Sequence, residues 1–73
     1  MEDFTDLDFA KAAYTTLKEH DPERLHLIHL LLAEGETPET IQERMKTMRP
    51  DYIALPAMCA GAAVWIIHQK ANN

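Results

Sequence analysis

Residues 53–67 read IALPAMCAGAAVWII, an uncharged stretch that decides how this chain folds. At about 100° per residue, a helix over this stretch is apolar on every side. One face consists of small and branched residues: Ile53, Ala57, Ala60, Val64 and Ile67. The opposite face consists of Met58, Ala62, Trp65 and Ile66. We expect one face to serve the chain's own core, and the second face, anchored by Trp65, to contact a partner.

The start of this C-terminal helix has two interpretations. A helix capped by Asp51 begins at residue 52 and carries Pro56 in its second turn, where proline removes a backbone hydrogen bond and bends the helix. Alternatively, a short turn covers residues 50–55 and the helix begins at Pro56. Both starts remain open on the sequence, and both predict a helix that ends near residue 70.

The size of the chain favours assembly. With 73 residues it forms one domain, and a core this small supplies about 3–5 kcal/mol of net stability. Cys59 is the only cysteine, which excludes a disulfide within the chain. Ala57 and Gly61 place small side chains four residues apart, which allows another helix to approach closely, either within the chain or across a dimer axis. We favour the dimer axis. We therefore expect a homodimer whose contact is the C-terminal helix.

Capping signals divide the rest of the chain into three helices. Thr5 is a candidate N-cap, Asp21 and Thr37 each precede a proline, and Gly35 stands where a left-handed C-cap is needed. Pro50 stops the third helix. The predicted helices cover about residues 6–19, 22–34 and 38–48. The expected fold is an all-α, compact bundle of four short helices, forming a single domain over residues 1–73.

The second helix is also more apolar than one core requires. Its core stripe is Leu25, Ile28 and Leu32. Leucines on its other side, Leu27, Leu30 and Leu31, are left for a second contact. We expect Leu27 and Leu31 to join the partner surface of the C-terminal helix.

Two histidines on the second helix are candidate metal ligands. His26 and His29 share a face, and Cys59 with His68 supplies further soft donors, but no zinc-binding spacing is present. We interpret the histidines as residues at the border of the core or interface, and expect no metal and no cofactor. Whether His26 and His29 make assembly pH-dependent is left open.

Composition narrows the class of function. The net charge of −5 disfavours a protein whose task is to neutralise phosphates. The acidic N-terminus has no signal-peptide pattern, and the uncharged run of about fifteen residues is shorter than a membrane span, so we expect a cytoplasmic protein without a membrane contact. There is no glycine-rich phosphate loop and no serine, and we expect neither an enzyme nor a small-molecule substrate.

Residues 28–57 resemble small bacterial antitoxin-like helix-turn-helix domains. The resemblance is carried by a leucine-rich helix that ends in glycine and by the capped helix after it: Leu31, Leu32, Ala33, Glu34, Gly35, Thr37, Pro38, Glu39, Ile41, Met45, Met48, Asp51 and Ile53. It implies a DNA-reading helix whose basic residues are Arg44, Lys46 and Arg49. The same helix begins with Glu36, Glu39 and Glu43, which a phosphate backbone repels.

Two functions follow from these observations. The first is an acidic protein-interaction module: a homodimeric accessory regulator or inhibitor, of the kind that phages and mobile elements encode, which binds itself and another protein. Its predicted contact residues are Met58, Ala62, Trp65, Ile66, Leu27 and Leu31. The alternative is a helix-turn-helix transcriptional regulator or antitoxin that binds DNA through Arg44, Lys46 and Arg49.

Overall fold

The computed structural model describes residues 6–47 and 55–72. Over these residues the chain is all helical: α1 is Leu7–His20, α2 is Pro22–Ala33, α3 is Pro38–Lys46 and α4 is Pro56–Ala71. The predicted all-α bundle of four helices is therefore confirmed. Two expected features, the Thr5 cap and the end of the third helix at Met48, lie outside the described residues.

The caps explain where the first two helices begin and end. Asp6, one residue after the predicted cap, accepts a hydrogen bond from the backbone N–H of Asp8 at 2.8 Å. Asp21 accepts from the N–H of Arg24 at 3.1 Å, and Pro22 follows it as the first helical residue. Because Gly35 adopts φ 97°, the N–H of Glu36 reaches the carbonyl of Leu31 at 3.0 Å and closes the end of α2.

The caps of α3 and α4 differ in kind. Thr37 and Thr40 form a reciprocal capping box at α3, in which each side-chain oxygen accepts from the other residue's backbone N–H. The last residue before α4, Leu55, has extended backbone angles and no side-chain cap. The residue before a proline avoids helical angles, so of the two predicted starts of α4 the structure has the one at Pro56.

The central element is α4, which packs against each of the other three helices. Residues 59–63 at its middle are buried on all sides. The radius of gyration of 10.9 Å matches the ~11 Å expected of a compact domain of this length. The middle of α4 is therefore buried by the chain's own helices, and dimerisation through this helix stays a prediction.

Glycine allows the closest of these contacts. A Cβ added to Gly61 would lie 2.8 Å from Phe9 Cε2 and 3.4 Å from Ala13 Cβ, so α1 occupies the space that any other residue would fill. Of the two uses predicted for this small-residue pair, the crossing within the chain is the one present at Gly61, where α1 covers the surface. Ala57 is exposed.

Candidate protein-interaction surface

An open cavity of about 330 Å³ lies where α1, α2 and α4 meet. We call it the Trp65 groove, and its lining residues are Tyr14, His29, Trp65, Ile66, Gln69 and Lys70. The groove forms because α4 changes composition along its length. The small residues 59–63 let the neighbouring helices close around the middle of α4, whereas large side chains begin at Val64 and hold the surface open beyond it.

Trp65 is the largest side chain of the groove and is partly buried. Its ring packs against the His68 ring with centroids 5.6 Å apart and planes tilted by 33°. Lys11 Nζ lies 6.0 Å from the Trp65 ring centroid, within reach of a cation–π attraction. Residues of two helices thus hold the indole ring at the rim of the groove while part of it faces solvent.

The polar side chains of the groove are unused by the rest of the fold. Within the described part of the chain, Tyr14, His29, Gln69 and Lys70 make no side-chain hydrogen bond and no ion pair. The groove also contains no carboxylate, although the sequence has 12 acidic residues. These groups, most of which donate hydrogen bonds, are therefore available to a bound molecule.

The predicted contact residues separate into three groups. Trp65 and Ile66 line the groove, although Ile66 is 4% exposed and offers little area. Leu31 and Ala62 lie in the chain's own core, at 7% and 0% exposure. Met58 is partly buried, and Leu27 packs on the edge of the core. Burial leaves Leu31 and Ala62 almost no surface for a partner.

The face of α4 that we expected to point inward is the more open one. Ala57 and Ile67 are exposed and Val64 is partly buried, with Ala60 as the buried exception. On α2, Leu30 is 48% exposed, whereas Leu31 belongs to the core. The periodicity could not distinguish these faces because both are apolar. Tyr14, Gln69 and Lys70 were not predicted as site residues, since their proximity depends on how three helices pack.

The basic residues of α3 are engaged with the chain's own acids. Arg44 Nη2 donates to Glu36 Oε2 at 2.9 Å, and Lys46 Nζ donates to Glu43 Oε2 at 2.9 Å. The Thr40 hydroxyl and the Arg44 guanidinium hold the pKa of Glu36 below its ordinary value. The remaining candidate, Arg49, lies outside the described residues. In the described part of the predicted DNA-reading helix, nearby carboxylates therefore balance the positive charges of Arg44 and Lys46.

The soft-metal constellation is not assembled. No group of three or more potential ligands comes together in residues 6–47 and 55–72. Cys59 is fully buried, whereas His26 and His29 are exposed on α2. None of the four described helices has the length and hydropathy needed to cross a bilayer.

Comparison with protein-family models, with curated proteins and with solved structures found no match to this chain. The resemblance to antitoxin-like helix-turn-helix domains therefore stays a prediction. The functional assignment rests on the geometry of the Trp65 groove and on the charges around it.

Proposed function

We propose that this chain is a small protein-interaction module that binds a segment of another protein in the Trp65 groove. The observation that carries the proposal is a partly exposed tryptophan beside polar side chains that form no side-chain hydrogen bond within residues 6–47 and 55–72. Tryptophan and tyrosine are enriched among the residues that dominate binding energy at protein interfaces. An accessory regulator or inhibitor acts through such a contact alone, and we propose this role, in the cytoplasm, rather than catalysis.

The proposal is tested by selecting peptides from a random display library on the folded full chain. Peptides that enrich should bind the wild-type chain and lose at least about tenfold in affinity with Trp65→Ala, the loss typical of an interface anchor. Leu30→Ala is the matched control, since it truncates an exposed apolar residue of α2 that lies outside the groove and outside the proposed dimer contact. Circular dichroism establishes that both variants are folded. If every enriched peptide binds Trp65→Ala as well as wild type, the proposal is wrong.

The second part of the proposal is a homodimer through α4. We place its contact on a different surface of α4 from the one around Gly61. Gly61 is covered by α1, so self-association has to use the open side of α4 near Val64 and Ile67. Light scattering across a range of chain concentrations measures the mass directly. A dimer that Ile67→Glu converts to monomer supports this contact, and a monomer at all concentrations removes it.

The DNA-binding alternative is disfavoured by the ion pairs of α3. Arg44 and Lys46 each lie 2.9 Å from a carboxylate oxygen, which lowers the positive potential they offer to phosphates. We expect no DNA affinity beyond the nonspecific range of about 10⁻⁴–10⁻⁶ M at physiological salt. Tight binding that disappears in the double variant Arg44→Glu with Lys46→Glu would instead establish the alternative.

A further inference from the structure

The charges around the Trp65 groove have the opposite sign to the chain as a whole. The sequence carries a net charge of −5, with 12 acidic residues against seven basic ones. Nevertheless, no acidic residue lines the groove, while Lys70 lines it and Lys11 lies against Trp65. The groove is therefore a local cationic surface on an acidic protein.

The cations of the described chain fall into two sets. Arg24, Arg44 and Lys46 each lie within ion-pair distance of a carboxylate. No carboxylate in the described residues pairs with the other three cations, which are Lys11, Lys18 and Lys70.

These three unpaired lysines share one region of the surface. Lys11 and Lys18 are three residues before and four residues after Tyr14, so all three lie on one face of α1. Tyr14 and Lys70 both line the groove. Lys11 and Lys70, neither of which pairs with a carboxylate of the described residues, therefore flank the groove, and Lys18 lies one helical turn beyond Tyr14 on the same face of α1.

We infer that the occupant of the Trp65 groove is an acidic segment of the partner protein. An apolar side chain of that segment packs beside Trp65 and Tyr14, and flanking Asp or Glu carboxylates face Lys11, Lys18 and Lys70. Complementary charge of this kind directs encounter and selects the partner, while the aromatic contact supplies most of the affinity. This inference rests on the proposed function and adds the chemistry of the partner to it.

A single-stranded nucleic acid is the competing occupant, since bases stack on aromatic rings and phosphates pair with lysines. The net charge of −5 and only three available lysines favour the acidic peptide. The test therefore includes a homothymidine oligonucleotide as one of its probes.

The experiment begins with the display peptides whose binding depends on Trp65. Among these, we expect Asp and Glu to be enriched beside an aromatic or aliphatic residue. One such peptide is then synthesised in three versions, with its acids retained, replaced by Asn and Gln, or replaced by Lys. Because Trp65 is the only tryptophan, its fluorescence reports occupancy of the groove directly. The acidic version should bind tightest and the lysine version weakest.

A charge-matched pair of variants isolates the groove from the net charge. Lys70→Glu and Lys46→Glu change the net charge of the chain by the same amount, but of these two lysines only Lys70 lines the groove. We expect Lys70→Glu to lower the affinity for the acidic peptide about five- to tenfold, and Lys46→Glu to change that affinity by less than about twofold. Added salt should weaken binding to the wild-type chain as well.

The outcomes separate the two proposals. The inference of an acidic partner is wrong if the peptides that depend on Trp65 are neutral or basic. It is also wrong if Lys70→Glu and Lys46→Glu weaken binding equally. In both cases the proposed interaction module is still supported. An oligonucleotide that binds more tightly than the acidic peptide and depends on Trp65 overturns the inference of an acidic partner too. A complete lack of peptides that depend on Trp65 overturns the proposed function itself.

Discussion

Two consecutive segments of α4 differ in how deeply they are buried, although both are apolar. Residues 59–63, read CAGAA, are buried on every side by the chain's own helices. Residues 64–67, read VWII, include only one buried residue, Ile66, and the side chain of Ile67 is 43% exposed. An uninterrupted apolar run therefore contains one segment of core and one segment of surface.

Side-chain size explains the contrast better than hydropathy does. Alanine and glycine make the middle of α4 narrow, so α1 packs against Gly61 through Phe9 and Ala13. Three short helices can enclose a narrow helix, whereas large residues keep their neighbours farther away. The apolar residues of the first segment are satisfied within the chain, and the large residues of the second remain available for a partner.

The largest effect should follow from enlarging the middle of α4. Gly61→Val places methyl groups into space that Phe9 already occupies at 2.8 Å from an added Cβ. We expect a loss of about 3 kcal/mol or slightly more, at the upper end of what overpacking a core costs and close to the whole stability of a domain this small. Urea unfolding measures the loss. Ala57→Val, at an exposed position of the same helix, should change little.

A second change at the contact sharpens that prediction. Combining Gly61→Val with Phe9→Ala removes the ring that blocks the valine, so the double variant should be more stable than Gly61→Val alone. If Phe9→Ala and Gly61→Val simply add as two losses, the close approach of α1 is not what excludes a side chain at position 61.

Truncation of a residue that encloses α4 comes next in magnitude. Leu17 is fully buried in the cluster that includes Cys59 and Ala63. Leu17→Ala should cost about 3 kcal/mol, because a cavity remains where the side chain was. Ile67→Ala, on the exposed side of α4, should cost less than about 1 kcal/mol. Similar losses for the two variants in urea unfolding would show that the division between core and surface is incorrect.

Trp65→Ala should fall between these values. The ring is partly buried against His68 and Lys11, so its removal should cost about 2 kcal/mol of stability and leave the helical circular dichroism spectrum unchanged. A loss as large as that of Gly61→Val would mean that Trp65 is a core residue rather than a surface anchor.

Local signals in the sequence were sufficient to predict the helices. Asp21 and Thr37 cap the helices that they were predicted to cap, and Gly35 adopts the left-handed conformation that ends α2. Helix caps depend on residues that are close together in the chain, so they can be predicted from the sequence alone.

The faces of the helices could not be assigned in the same way. A helix that is apolar on every side has no periodicity to orient it, so Ala62 and Leu31 were placed on a partner surface although they are buried. The groove combines Tyr14, His29 and Trp65 from three helices, and their proximity depends on the close approach of α1 at Gly61. The close approach of α1 to Gly61 is a tertiary contact, and the spacing of residues along one helix does not predict such a contact.

The most direct test of an open, cationic surface at Trp65 is fluorescence quenching of this single tryptophan in the folded chain by iodide and by caesium. Each quenching constant is divided by that of the same ion for N-acetyltryptophanamide, because iodide is intrinsically the more efficient quencher. Because Lys11 lies 6.0 Å from the ring centroid and Lys70 lines the same groove, this ratio should be larger for iodide than for caesium despite the net charge of −5. A larger ratio for caesium, or a tryptophan that neither ion reaches, would contradict the account.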